Sequence, residues 1–208
     1  GRGQLDPEAP VAEYWPEFAA NGKGGVRVHH VLSHTVGLPY VDPDPADEAE
    51  RLDNTLMAQR LAAQPTLWEP GTRVSYHAIT FGYLTAEILR RVGGQSIGTL
   101  IRRELAEPYG LDIHLGLPAP EEHRVAPVHR ARDYRISTFL QDDDERRAIV
   151  DRMYGATLLG ADLPANTREH HAAELAADVD GPHPLQLLHR ALRQPAVDPV
   201  PDALGEFQ

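Results

Sequence analysis

Val26-Arg27-Val28-His29-His30-Val31-Leu32-Ser33-His34-Thr35-Val36-Gly37-Leu38-Pro39 is the stretch on which the reading of this chain turns. Val28, Val31 and Leu32 recur at helical spacing, and Gly37 and Pro39 stop the run, so a short helix over 28–34 and a turn after it are expected. Beyond the turn, Asp42-Pro43-Asp44-Pro45 is loop chemistry. Asp47 and Glu48 then open a helix with Leu52, Leu56 and Leu61 on its apolar side, ended by Pro65. Trp68-Glu69-Pro70-Gly71-Thr72 is a turn, and Phe81, Leu84, Ile88 and Val92 form the inner stripe of a helix running to Arg91 and closed by Gly93-Gly94. Ser96 caps a further helix with Ile97, Leu100, Ile101 and Leu105 inward and Pro108 beyond its end, and these two helices are expected to pack together.

The rest of the chain is less regular. Asp112-Ile113-His114-Leu115 and Arg124-Val125-Ala126 read as short strands. Asp142 to Met153 reads as a charged surface helix, and Pro184 to Leu192 as a last short helix with Leu185, Leu188 and Leu192 inward. Residues 1–193 are expected to form a single domain, and 194–208 an irregular tail with little periodicity.

Composition narrows the function. The 208 residues carry 18 prolines and 17 glycines, with 41% hydrophobic and 6% aromatic content, which predicts a loop-rich globular chain. A formal charge of −11, with 20 basic residues scattered rather than gathered into a stripe, argues against nucleic-acid binding. The absence of cysteine removes disulfides, thiolate nucleophiles and thiolate metal sites. Gly1 to Pro10 is polar, and no apolar run reaches the length of about 18 residues that a membrane span needs, so no membrane span is expected and a cytoplasmic location is.

The opening stretch resembles the "T-V-R-H-L-L-S-H-T-S-G-L-P" segment of the serine β-lactamase-related family, which includes class C β-lactamases, penicillin-binding-protein-like peptidases and family VIII esterases. A second stretch, Trp68-Glu69-Pro70-Gly71-Thr72-Arg73-Val74-Ser75-Tyr76-His77-Ala78 and onward to Leu111, resembles the family's "P-G-T-x-x-x-Y-x-N" segment and its following helices. Gly3-Gln4-Leu5-Asp6 through Tyr14-Trp15-Pro16 is similar to "G-x-L-D-L-D-x-P-V-x-x-Y-W-P", and Asn166 to Glu174 to "N-x-R-x-x-R-x-A-E". The matches cover Gly3 to Pro127 well and the remainder poorly.

The resemblance implies an α+β, β-lactamase/transpeptidase-like fold. Here it would be mainly the helical subdomain with short strands, lacking the segments that complete the sheet. It also implies a mechanism in which the serine of a Ser-x-x-Lys motif attacks an ester or β-lactam carbonyl while the lysine and the tyrosine of Tyr-x-Asn handle the proton. Tyr76 stands at the tyrosine position as the expected catalytic base. His77 and Ala78 stand at the following, substrate-binding positions, where the usual x-Asn pair is replaced by one resembling an esterase subgroup, so a carboxylic ester is favoured over a β-lactam.

The main departure is an absence. The sole lysine is Lys23, and none of Ser33, Ser75, Ser96 or Ser137 has lysine three residues later. By the registration of Gly3, the missing Ser-x-x-Lys belongs before residue 1, and the late Lys-Thr-Gly or His-x-Gly strand has no counterpart after Asn166. The chain as given is therefore expected to be inactive. Its whole protein is read as a serine hydrolase of the β-lactamase-like esterase type that works through an acyl-enzyme. The alternative is a truncated, inactive family member serving as a binding or assembly module.

The expected partners are a small-molecule ester or amide-like substrate and, for the module, another chain that completes the fold. No cofactor is expected. His30 and His34 share the i, i+4 spacing of metal-binding helices, but the zincin glutamate is absent, and the family segment gives His34 a structural hydrogen-bonding role instead. His170-His171 reads as a solvated helix face. Ser33 and His34 cannot act as nucleophile and base, because neighbouring residues on a helix point about 100° apart.

Overall fold

A computed structural model of the chain describes residues 3–129, 146–154 and 167–172. Among them are nine α-helices, one isolated antiparallel bridge and no extended strand. The first helices are α1 (Val11–Tyr14), α2 (Val28–Leu32), α3 (Glu48–Leu52) and α4 (Asn54–Ala63). They are followed by α5 (Thr80–Gly93), α6 (Ile97–Ile101), α7 (Glu107–Tyr109), α8 (Arg146–Tyr154) and α9 (Arg168–Ala172). The expected helix Pro184 to Leu192 and the tail from 194 lie outside the described residues.

The expected strands at 112–115 and 124–126 are not formed: the first is irregular chain, and the second leaves a 3₁₀ turn, Ala119–Arg124. Short apolar runs take strand form only when a neighbouring strand accepts their backbone bonds, and none is described beside them.

Local chemistry sets the helix ends. The single helix expected after Asp47 is two, because Asp53 interrupts it and caps the second: Asp47 Oδ1 accepts from Glu50 N and Asp53 Oδ1 from Leu56 N, each at 2.9 Å. Ser96 caps α6 by accepting from Thr99 N at 3.1 Å. α5 closes on Gly94, whose φ of 67 lets its N–H reach Arg90 O at 2.7 Å.

The helix after Ser96 departs from its expected register. A π-turn spans Arg102–Ala106 and inserts a residue, so Ala106 turns inward and Leu105 is exposed. Pro108 lies inside the chain's next short helix, α7, in its first turn, where no N–H is needed. α5 and α6 do pack together: the Leu100 side chain lies 3.3 Å from where a Cβ on Gly93 would sit.

The core joins the three N-terminal matches. Val11, Trp15 and Phe18 pack with Val26, Val28, Val31, Val36 and Leu38 and with Met57, Leu61, Leu84 and Ile88 from α4 and α5. Val11 N donates to Val26 O at 2.8 Å and Val28 N to Ala9 O at 3.1 Å, which ties the Gly3–Pro16 segment across the start of α2.

Two charged groups fasten this core from inside. Glu87 on α5 is buried, which would raise its pKa, but the guanidinium bonds from Arg90 (2.7 and 2.9 Å) and from Arg91 outweigh burial and hold it low. Arg91 also reaches Glu17 at 2.8 Å. Lys23, 1% exposed, donates from Nζ to Ala20 O at 2.8 Å and to Gln64 O, just past the C-terminus of α4. Gln64 in turn accepts from Asp42 N at 2.9 Å and donates to Tyr40 O at 3.0 Å, linking α4 to the loop after the first motif.

Replacing Lys23 with Met keeps the aliphatic stem but leaves the two carbonyls without their donor. The variant is expected to lose about 2–3 kcal/mol of stability, read as a lower urea midpoint with an unchanged m-value.

Candidate active site

Residues 34–38 and 67–80 run alongside one another, so the two motif stretches meet in space. Leu67 N donates to Gly37 O at 2.8 Å, Gly71 N to Thr35 O at 3.0 Å and Ser75 N to His34 O at 3.2 Å. Trp68 Nε1 adds a bond to Thr35 O at 3.3 Å, and Thr80 Oγ1 one to Leu38 O at 2.7 Å. Gly37 makes the approach possible: its φ is 81, and a Cβ there would lie 2.9 Å from Trp68 O.

Two histidines lock the junction. His34 has left the helix, with φ 59, and its Nδ1 accepts from the backbone N–H of His77 at 3.2 Å. His77 returns the contact, its Nε2 accepting from Leu38 N at 3.0 Å. Because Nε2 accepts, the ring proton sits on Nδ1, which donates to Ser75 O at 2.6 Å. Both nitrogens of His77 are thus engaged and the residue is 1% exposed. The ring placed by the sequence at a substrate-binding position is buried, and burial of a neutral imidazole demands that both nitrogens find partners.

Tyr76 is held differently. Its neighbours Ser75 and His77 are pinned through their backbone amides, while its own side chain is 61% exposed and rests on the His34 ring, 5.0 Å between centroids. Phe81 lies on the same imidazole at 4.7 Å. Ala78, partly buried, follows in the turn that leads into α5. The arrangement is a phenol projected from a rigid backbone on an aromatic shelf.

His30 and His34 do not share a helix face, since α2 stops at Leu32 and His34 is left-handed. His30 Nδ1 accepts from Arg27 N at 3.1 Å, and its Nε2 faces Gly71, 3.2 Å from where a Cβ would sit. No group of three or more His, Asp or Glu suited to a metal ion occurs among the described residues.

On α9, His171 is largely covered and hydrogen-bonds a carboxylate, whereas His170 is half-exposed and only approaches one. His171 Nδ1 is 2.6 Å from Glu122 Oε1, and His170 Nδ1 is 3.5 Å from Glu48 Oε1. No described helix is long and apolar enough to cross a membrane. Sequence reasoning missed the locking role of His77; its only signal was its place beside the tyrosine.

Residues 1–190 match the family model described as Beta-lactamase, and the chain belongs to that family. Among curated relatives, it is 42% identical over 144 residues to the esterase/beta-lactamase LipL of Mycobacterium tuberculosis (strain ATCC 25618 / H37Rv), covering 67% of this chain and 32% of the relative.

Among solved structures, it is similar to EstA from Arthrobacter nitroguajacolicus Rue61a, with TM-score 0.69 and 32% identity over 85% of this chain and 46% of that one. A family VIII carboxylesterase matches with TM-score 0.57 and 44% identity over 60% and 34%. The β-lactamase/transpeptidase-like fold follows, here in its helical part. The chain spans about a third of the length of the curated relatives it matches.

The lock makes stability depend on pH. Burial pushes the His77 pKa down from 6.5 to about 4; the Ser75 carbonyl opposes this, and neighbouring His34 adds to it. The unfolded chain binds a proton at His77 below pH 6.5 and the native state only near pH 4, so this group's contribution is whole above 6.5 and drains away as pH falls to 4. The stability gap between wild type and His77→Gln is expected to shrink by about 3 kcal/mol from pH 7.5 to pH 4 in urea titrations. A gap that stays constant with pH would rule this out.

Proposed function

We propose that this chain supplies the tyrosine base and its rigid support to a serine hydrolase of the β-lactamase-like esterase type, which cleaves or transfers the acyl group of a carboxylic ester. The observation that carries the reading is Tyr76: an exposed phenol whose flanking residues are fixed to the first motif by His34 and His77. Preorganised placement of the base is what proton transfer to a nucleophile requires.

In this reading Tyr76 takes the proton of a serine hydroxyl as the serine oxygen attacks the ester carbonyl. The alcohol leaves with a proton, and the acyl-enzyme is released to water or another acceptor. The serine and its lysine are supplied from outside these 208 residues. Within them the sole lysine, Lys23, is buried and committed to the backbone carbonyls of Ala20 and Gln64. Ala78 puts a methyl where the family pattern carries an amide, which favours an ester over a β-lactam, and His77 contributes by holding the loop.

The same commitment of Lys23 favours, as a second reading, a non-catalytic module of the family. Two measurements separate them. A fluorophosphonate probe is expected to label no serine in residues 1–208, and stoichiometric labelling of Ser33 or Ser75 would overturn the assignment of the nucleophile elsewhere. In protein that also carries Ser-x-x-Lys, Tyr76→Phe is expected to lower kcat for p-nitrophenyl butyrate by about 10²–10⁴-fold. Turnover that survives Tyr76→Phe sinks the base, and failure of any such protein to turn over leaves the module.

A further inference from the structure

α8 reaches the Tyr76 loop from late in the described chain, and Arg152 is one of the residues that fasten it. Arg152 Nη2 donates to Asp42 Oδ1 at 2.8 Å, to Asp44 Oδ1 at 3.2 Å and to Val41 O at 3.3 Å, while Nε donates to Asp44 Oδ1 at 3.3 Å. Its guanidinium lies 3.9 Å from the centre of the Tyr40 ring. Stacking and ion pairing together hold the planar group in one orientation, which an isolated surface ion pair does not achieve.

The next residue, Met153, is buried, and its Sδ accepts from Ser75 Oγ at 3.6 Å, one residue before Tyr76. Arg152 and Met153 also close one side of a cavity of about 140 Å³ whose other walls include Tyr40, Thr80 and Tyr83.

We propose that Arg152 is a positioning residue for the Tyr76 site: by gripping the Tyr40–Asp44 loop it seats Met153 against Ser75 and so buttresses the loop that carries the base. This rests on Tyr76 being the base. Tyr40 to Asp44 is also the segment that the Gln64 side chain ties to the end of α4, and Lys23 in turn holds the Gln64 carbonyl, so the clamp connects the base loop to a rigid anchor. A thioether suits the seat, being apolar yet able to adapt its shape against a hydroxyl-bearing loop.

The chain has two methionines, and the other, Met57, is buried in the core, so a methyl-¹³C-methionine spectrum of the 208-residue chain reads docking and global fold separately. In Arg152→Ala, the Met153 signal is expected to move to the position of free methionine and the Ser75 and Tyr76 amide signals to shift, with Met57 unmoved. Asp42→Asn/Asp44→Asn, which leaves α8 itself intact, is expected to do the same. Arg152→Lys, which keeps the charge but loses the fork and the stack, is expected to recover less than half of the Met153 displacement.

A Met153 signal unmoved in both the alanine and the double-asparagine variants would overturn the proposal. So would loss of the Met57 signal in both, since Arg152 would then serve the whole body and not the loop. The measurement reads docking and not turnover, so it fails or stands separately from the ester reading.

Discussion

The structure depends on an exchange of backbone hydrogen bonds between two histidines. His34 Nδ1 takes the N–H of His77, and His77 Nε2 takes the N–H of Leu38. Each bond satisfies an amide that would otherwise be buried without a partner, an omission that costs about 1–3 kcal/mol per group. Together they weld two segments some forty residues apart in sequence into one wall. The exchange works only with His77 neutral and its proton on Nδ1, which is why the Ser75 carbonyl 2.6 Å from that nitrogen belongs to the same device. Tyr76 is displayed because the residues on either side of it are consumed by this weld.

Behind the wall, the body is fastened by charged groups turned inward. Lys23 lends its ammonium to the end of α4, and Glu87 gathers two arginines from its own helix, one of which continues to Glu17. At Glu87 the guanidinium bonds outweigh desolvation, whereas at Lys23 burial lowers the pKa and the ammonium is held by two backbone carbonyls. These fasteners serve one end: they hold the N-terminal segment, α4 and α5 as a fixed base on which the two motif loops can be cross-linked. Reactive geometry in a loop requires such a base, because an unsupported loop would spread the phenol over many orientations.

Much of this was legible in the sequence, for reasons that can be named. α5 was readable because Leu84 and Ile88 carry an uninterrupted helical period and glycines end it. The caps Asp47 and Ser96 were readable because capping is a local reaction between a side chain and an amide a few residues on. The register of Leu105 was not, since a π-turn is a response to packing and leaves no mark on the 3.6-residue pattern. The strands expected at 112–115 and 124–126 were not either, because strand form is conferred by a neighbour. The hydrogen bond of His171 to Glu122 lay equally beyond reach, depending as it does on a contact with a distant element.

The candidate site divides along the same line. The sequence by itself determined the family, much of the helix content and the lack of a Ser-x-x-Lys motif in these 208 residues, because each is a matter of residue type and short spacing. Only the tertiary structure decided that His77 is buried with both ring nitrogens engaged, that Lys23 is committed to the Ala20 and Gln64 carbonyls, and that Arg152 and Met153 stand beside the Tyr76 loop. These follow from which atoms are buried together, and hydrogen-bond satisfaction within a packed interior is a property of the assembled chain that no local spacing encodes.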